Sequence, residues 1–137
     1  GANLLAATLT SAALRQATLT GADMRSATLT YANLTNATLD AVLLNNANLV
    51  QATLSNANMR GSNLSAANLD RATLISTNLS MTDLTDTNLD WSNMQSTDLR
   101  GADLTGTILR GAGYNKETTW PEGFNAFKAG AVFGRSK

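Results

Sequence analysis

The 137-residue chain contains neither cysteine nor histidine. Without cysteine it forms no disulfides and no thiolate zinc sites, although this does not decide its redox compartment. Histidine is the usual general base and a common metal ligand, and the sequence has no glycine-lysine phosphate loop and no Gly-x-Ser-x-Gly nucleophile motif. A catalyst would have to work with carboxylates or lysines alone. The sequence therefore predicts a protein that is not an enzyme and needs no cofactor or metal.

Aromatic residues, excess charge and long apolar runs are also scarce or missing. Only 5% of the residues are aromatic against 43% hydrophobic, so the core must be built mainly from leucine and alanine. Ten basic and ten acidic residues cancel, which leaves no global field to attract nucleic acid or an anionic membrane. No apolar run reaches about 18 residues, so no membrane span is predicted. A chain of this length is expected to form one domain.

What the chain has in abundance is a five-residue repeat. From Leu4 to Leu109 every fifth residue is leucine or methionine, which gives 22 consecutive units. The residue two positions before each central leucine or methionine is small, mostly alanine at first and largely threonine or serine over 77–97. Repetition of this regularity predicts a repeat architecture before any other feature is considered.

A period of five fits neither an α-helix nor a flat β-strand. In a helix five residues advance about 500°, so the leucines would scatter around the axis. In a strand neighbouring side chains alternate between two faces, so an odd step places successive leucines on opposite sides. Residues two apart do share a face, and the two residues after each leucine can turn a corner. The pattern therefore predicts a coil whose leucines and small residues all point inward.

The number of sides in each coil follows from longer periods in the sequence. Threonine precedes the central residue at every tenth position from Thr8 to Thr38, which favours an even number of sides. Glycine recurs at Gly21, Gly61 and Gly101, positions that align in a 20-residue coil and not in a 15-residue coil. We therefore predict four sides per coil and about five and a half coils, which at a strand spacing of about 4.8 Å form a rod of roughly 25 Å.

The segments TGADMRSATL, TYANLTNATL and RGADLTGTIL resemble the pentapeptide-repeat family, whose unit is A(D/N)LXX. The resemblance covers residues 1–112. It implies an all-β fold, a right-handed quadrilateral parallel β-helix, in agreement with the four-sided coil. Many units have threonine where the family prefers asparagine or aspartate, and the family tolerates this variation.

The repeat ends after residue 112, and residues 113–137 have a different composition. This segment contains the single proline, Pro121, and five of the seven aromatic residues. An open solenoid end invites aggregation, so we expect residues 113–137 to fold over the last coil as a cap. The stretch YNKETTWPEGF also resembles the tail of many cyanobacterial pentapeptide-repeat proteins.

The chain starts inside the repeat, at Gly1, and shows no cap at this end. This predicts either a segment that precedes Gly1 or an end-to-end homodimer through the N-terminal coil. The resemblance permits a cytoplasmic location and, where an N-terminal signal has been removed, the periplasm or the thylakoid lumen.

One corner of the predicted coil has residue types that are common in protein interfaces. The residue two after the central one is Tyr31, Gln51, Arg71 and Trp91 in successive coils, and Val50 lies next to Gln51. Tyrosine, tryptophan and arginine dominate interface hot spots, so these five residues are predicted to bind a partner. The alternative is that they are ordinary corner residues, since Tyr31 and Trp91 lie about 14 Å apart at strand spacing.

The acidic residues allow two further interpretations. Asp83 and Asp103 occupy equivalent positions in consecutive four-sided coils, so they stack and could share a calcium ion or shift each other's pKa. The favoured alternative is that each shapes its own turn. Residues 83–103 hold five acids and one arginine, whereas residues 110–137 hold five bases and two acids. This predicts either a docking surface or two surfaces that neutralise each other.

Three functions remain. The first is a non-enzymatic structural scaffold or protein-binding module with an unidentified protein partner. The second follows from the resemblance alone, because some pentapeptide-repeat proteins mimic duplex DNA and bind type II topoisomerases such as gyrase. Those mimics are strongly acidic, so the zero net charge of this chain argues against that function. The third, a carboxylate-based enzyme or metal protein, is the least favoured.

Overall fold

The computed structural model describes residues 1–136, and its chain winds into a regular coil with four sides. Bridging residues pair in parallel with the residue 20 positions further on, beginning with Asn3 opposite Asp23 and ending with Asn93 opposite Gly113. The next pair, Asp98 with Thr119, is one position longer because the repeat has ended. Four five-residue units therefore complete one turn, which confirms the four-sided coil predicted from the glycine spacing.

Tight corners separate the four sides. At a typical corner the N–H of Ala57 donates to the carbonyl of Leu54 at 2.9 Å, three residues back. The third residue of this turn, Asn56, has a positive φ. The equivalent residue has a φ between 52° and 71° at all 22 corners from Ala6 to Gly111. Turns with a positive φ at this place normally favour glycine or asparagine, yet most corners here have other residues. Each side keeps only one bridging residue between two corners.

Regular strands are consequently short and confined to the end of the chain. Within residues 1–136 they are β1, Gly113–Tyr114, and β2, Val132–Phe133. The two strands are parallel, with Gly113 opposite Val132. Over the same residues, no helix has the length and hydropathy that crossing a membrane requires.

The core is a column of central residues along the coil axis. Every central leucine or methionine from Met24 to Leu99 is at most 1% exposed. Between Met24 and Leu54 the axial space is too narrow for a water molecule, as expected for an interior packed at the density of an organic crystal. The four central residues of the first coil, from Leu4 to Leu19, are only partly buried, since no coil formed by residues 1–136 lies over them.

Most inward hydroxyl groups bond to the backbone of the preceding coil, as a buried hydroxyl requires, whereas that of Ser92 donates to the carbonyl of Leu89 in its own coil at 2.8 Å. Four inward threonines donate to the carbonyl of the central residue 23 positions earlier, at 2.8 to 3.2 Å. These threonines are Thr77, Thr82, Thr87 and Thr97. Ser62 and Thr107 make the same bond. The later coils thereby accept a polar inward residue without leaving its hydroxyl unpaired.

We expect Thr87→Val to lower the free energy of unfolding by about 1 kcal/mol, because it removes one buried hydrogen bond while keeping the side-chain shape. The loss stays modest because the carbonyl of Leu64, which accepts from the Thr87 hydroxyl at 2.8 Å, also accepts the N–H of Ala67 at 2.9 Å. Urea unfolding of Thr18→Val, which replaces an exposed threonine on the outer surface, provides the control. A Thr87→Val protein as stable as its parent would show that the inward hydroxyl contributes nothing.

The C-terminal segment packs its aromatic residues against the end of the coil. Trp120 stacks on Phe124 at 5.3 Å between ring centroids, and Tyr114 meets both Trp120 and Phe133 edge to face at 5.5 Å. Tyr114, Trp120 and Phe124 contact the hydrophobic core. Phe127 does not join them, since its side chain is 79% exposed. Three of the five aromatic residues of this segment therefore contact the core, and Phe133 joins them through its contact with Tyr114.

The carboxylate of Asp98 links this segment to the repeat. Asp98 accepts two side-chain hydrogen bonds from Arg100, at 2.6 and 2.9 Å, and one from the Thr119 hydroxyl at 2.9 Å. The bonds from Arg100, assisted by Thr119, lower the pKa of Asp98 from 3.8 to about 2. Asp98 therefore favours the folded state only while it is ionised.

Stability should depend on pH through Asp98. The pKa of Asp98 is lowered on folding, so its contribution is complete above its unfolded value of 3.8 and is lost as the pH falls towards 2. Asp98→Asn is expected to lower the free energy of unfolding by about 1 kcal/mol at pH 7, a discounted figure because solvent screens the exposed Arg100. The difference from the parent should shrink towards pH 2.

Asp23→Asn is the matched control for this pH dependence. Asp23 also accepts two hydrogen bonds from the arginine two residues later, Arg25, but it lies in the second coil and not beside the C-terminal segment. We expect a smaller loss of stability from this substitution in denaturant titrations over pH 2 to 7. Equal losses for both variants would show that the bond between Thr119 and Asp98 adds nothing.

Candidate protein-binding surface

The predicted corner residues do form one column along the coil. The backbone N–H groups of Tyr31, Gln51, Arg71 and Trp91 each donate to the carbonyl of the residue 19 positions ahead, at 2.8 to 3.0 Å. These bonds hold consecutive coils in register, so each corner residue lies directly below the next. Val50 contributes one of the accepting carbonyls, to Tyr31. The backbone therefore presents this column as a rigid surface.

The structure brings only two of the five predicted residues into one site. Arg71 and Trp91 line the same groove, whereas Tyr31, Val50 and Gln51 are not among its lining residues. Tyr31 is 56% exposed and stands alone, three coils from Trp91, or about 14 Å at strand spacing. A contribution of all five residues to partner binding stays a prediction.

The groove that contains Arg71 and Trp91, here called the Arg71 groove, has a volume of about 570 Å³. The guanidinium carbon of Arg135 lies 4.1 Å from the centroid of the Trp91 ring, within the range of a cation–π contact. The Arg71 side chain is 62% exposed to solvent, and its Nε atom lies 3.8 Å from the nearest carboxylate oxygen of Asp70. The lining residues are Arg71, Ala72, Thr73, Trp91, Asn93, Arg135 and Ser136.

The C-terminal segment forms one wall of the Arg71 groove. Its carbonyl groups at Ser136 and Arg135 accept hydrogen bonds from the side-chain amides of Asn93, at 2.8 Å, and Gln95, at 3.4 Å. The segment passes so close to Gly113 that a Cβ there would overlap the carbonyl oxygen of Arg135. Glycine at this position is therefore a condition for the observed path.

Trp91 also has a structural role that its position in the repeat did not reveal. A Cβ built on Gly111, one coil further along the same corner, would lie 2.6 Å from the Trp91 ring. The ring rests on the space that Gly111 leaves open, and Arg135 stacks on the ring. Trp91 remains 38% exposed. It therefore anchors the C-terminal segment and keeps part of its surface available to solvent.

Arginines neutralise two of the five acids between residues 83 and 103. Asp90 is 6% exposed and pairs with Arg110 at 2.6 Å, while Asp98 pairs with Arg100 at 2.6 Å. Arg110 belongs to the basic segment at the end of the chain, so this pair supports the interpretation in which the two charged surfaces neutralise each other. Lys137, which also counted toward the basic segment, lies outside the described residues.

The geometry of Asp83 and Asp103 favours a role in the turns over a shared calcium ion. Each carboxylate accepts the backbone N–H two residues later, from Thr85 and Thr105 respectively, at 3.0 Å. Hydrogen bonds from Thr105 lower the pKa of Asp103, whereas repulsion between two close carboxylates would raise a pKa. No group of three or more Asp, Glu, His or Cys residues within the described chain is placed to hold a metal ion.

A family model for pentapeptide repeats matches residues 2–40, 43–80, 54–90 and 74–111, in eight copies. The chain belongs to the pentapeptide-repeat family. Pentapeptide-repeat proteins are right-handed quadrilateral β-helices, and this confirms the predicted fold class. The matched spans end at residue 111, close to the end of the repeat at residue 112.

Solved structures of other pentapeptide-repeat proteins resemble this chain. A protein of the thylakoid lumen of Arabidopsis thaliana has 25% identity and a TM-score of 0.56, over 72% of this chain and 65% of its own. Rfr23 from the cyanobacterium Cyanothece 51142 has 34% identity and a TM-score of 0.47, over 72% of this chain and 63% of its own. This pentapeptide-repeat chain spans less than two thirds of the length of either protein.

A pentapeptide-repeat protein from Nostoc Pcc 7120 has 36% identity and a TM-score of 0.37, with coverage of 81% of this chain and 84% of its own. Cyanobacterial proteins are thus among the relatives, in agreement with the resemblance noted for the sequence. No curated protein matches the chain.

The sequence predicted part of this surface and missed the rest. Thr73 and Asn93 each follow a corner residue of the column by two positions, so the register of the coil could have placed them beside Arg71 and Trp91. Arg135 had no such signal, because it lies beyond the last repeat and no periodicity relates it to a coil. Its position depends on the bonds that two side-chain amides of the repeat donate to the C-terminal segment.

Proposed function

We propose that this pentapeptide-repeat protein is a non-enzymatic structural scaffold or protein-binding module, and the features of its surface favour protein binding. The observation that carries the proposal is a tryptophan, Trp91, that stays 38% exposed on a rigid corner beside the exposed Arg71. Tryptophan and arginine on a rigid surface are typical of interface hot spots. The column of Tyr31, Val50, Gln51, Arg71 and Trp91 is the proposed contact surface, and Arg71 and Trp91 form its centre.

We further propose that residues 1–112, with about five and a half coils, are the binding solenoid and that residues 113–137 are its cap. The packing of Trp120 and Phe124 against the core supports a capping role. The central leucines of the N-terminal coil are partly exposed. An end-to-end homodimer through this coil is the proposed means of covering it, and sedimentation equilibrium would detect such a dimer.

Affinity capture with matched variants tests the binding function. The whole chain, Trp91→Ala and Met81→Ala would each be used as bait with an extract of the native host. Met81 is 59% exposed on the opposite corner of the coil, so Met81→Ala controls for the loss of an exposed apolar side chain. We expect the parent and Met81→Ala to retain one protein that Trp91→Ala loses. Equal retention by all three baits would contradict the proposed surface.

A DNA-mimicking gyrase binder is the alternative that the family suggests, and we do not favour it. A mimic of duplex DNA needs a dense negative surface, whereas this chain has a net charge of +0. Two of the acids near its C-terminal end are also paired with arginine. We expect no inhibition in a gyrase supercoiling assay, and inhibition by the purified protein would restore this alternative.

A further inference from the structure

We propose that the Arg71 groove binds an acidic peptide segment of the partner, with a carboxylate group of that segment paired to Arg71. This inference rests on the proposed protein-binding function and adds the chemistry of the ligand. A groove of about 570 Å³ has room for a few residues of an extended peptide and is within the size range of small ligand sites.

The charges around the groove favour an anionic ligand. Arg71 and Trp91 line the groove, and the guanidinium group of Arg135 lies over the Trp91 ring. Asp70 is the acid nearest to Arg71, but their contact of 3.8 Å is too long for a hydrogen bond. The other neighbouring acid, Asp90, is buried and already paired with Arg110. An incoming carboxylate could therefore form the close bidentate pair that Asp70 does not form with Arg71.

The groove is already formed in the absence of a ligand. Backbone bonds to the next coil fix Arg71 and Trp91, at 2.8 and 3.0 Å. The opposite wall is held by the bond of 2.8 Å from Asn93 to the carbonyl of Ser136. A peptide would meet a site that needs little ordering, and this reduces the entropy lost on binding. Thr73 adds a polar side chain to the rim.

Fluorescence anisotropy with labelled peptides tests the ligand class on the full chain. The probe is a fluorescein-labelled hexaglutamate peptide, and labelled hexaglutamine of the same length is the control. We expect the protein to bind hexaglutamate at low salt, to bind hexaglutamine much more weakly, and to lose affinity for hexaglutamate as the salt concentration rises. Absence of hexaglutamate binding at low salt, or equal binding of the two peptides, would overturn the inference.

Two variants locate the binding to the groove. Arg71→Gln is expected to weaken hexaglutamate binding about tenfold, because it removes one charged hydrogen-bonding partner from a solvent-exposed position. Arg60→Gln, which removes an exposed arginine from the opposite corner, should change the affinity less than about twofold. Equal losses in both variants would mean that hexaglutamate responds to general positive charge and not to this groove.

A third probe distinguishes a peptide ligand from a nucleic acid. Tighter binding of a labelled hexathymidylate than of hexaglutamate would overturn the acidic-peptide assignment in favour of nucleic acid.

The affinity capture distinguishes a failure of this inference from a failure of the proposed function. If Trp91→Ala loses its captured partner while hexaglutamate fails to bind the parent, the protein-binding function stands and the acidic-peptide inference fails. If hexaglutamate binds through Arg71 but no bait captures a Trp91-dependent protein, only the proposed partner surface fails.

Discussion

Leu54→Ala is expected to lower the free energy of unfolding by about 2 to 5 kcal/mol. The Leu54 side chain is fully buried in the middle of the coil, in a part of the core too narrow for a water molecule. Backbone bonds to the coils above and below prevent the surrounding structure from collapsing into the space. The cost should therefore include both the lost burial of the side chain and the cavity that remains.

Leu9→Ala is the matched control for Leu54→Ala. Leu9 occupies the same position of the five-residue unit in the first coil, where it is only partly buried. Urea unfolding of both variants should show a clearly smaller loss for Leu9→Ala. If the two losses were equal, the central coils would not be packed more tightly than the open end, contrary to the burial of their central residues.

Gly113→Ala is expected to detach the C-terminal segment and to lower the free energy of unfolding by about 1 to 3 kcal/mol. The new Cβ would overlap the carbonyl oxygen of Arg135 and lie 2.9 Å from its carbonyl carbon. These are backbone atoms, so no side-chain rotation can relieve the contact. The segment must move away from Gly113, and the pairing of β2 with β1 should weaken with it.

Amide hydrogen exchange measures this detachment residue by residue. The N–H groups of Val132 and Gly134 donate to the carbonyls of Ala112 and Tyr114, each at 2.8 Å. We expect both amides to lose protection in Gly113→Ala. In the control Gly123→Ala, the added methyl group meets no atom within 4 Å, and any cost comes only from the positive φ of that residue. Full protection of both amides in Gly113→Ala would refute the proposed close approach.

The core of this pentapeptide-repeat protein could be predicted from the spacing of Leu4, Leu9 and their successors. A step of five excludes a helix and a flat strand, so the leucines can share an interior only if the chain turns a corner in every unit. The alignment of Gly21, Gly61 and Gly101 then favoured four corners per coil. The parallel bridges between equivalent residues of consecutive coils confirm that number. Local repetition was sufficient because each coil contacts mainly its neighbours.

The candidate site could be predicted only in part. The register of the repeat placed Arg71 and Trp91 on one corner. It did not distinguish them from Tyr31, Val50 and Gln51 as candidate binding residues. The structure distinguishes these residues because the C-terminal segment reaches Trp91 and not Tyr31. The dual role of Trp91, as an anchor for the C-terminal segment and as an exposed surface, could not be read from the repeat.

The sequence by itself determined the inward column of leucine and methionine and the four-sided coil. These features follow from a repeated local pattern, so each unit specifies its own place. Only the tertiary structure decided the path of residues 113–136 and the groove that they complete with Arg71 and Trp91. That path depends on contacts between residues that are far apart in the sequence, such as Asn93 and Ser136, and on the absence of a side chain at Gly113. The five-residue spacing contains no information about either feature.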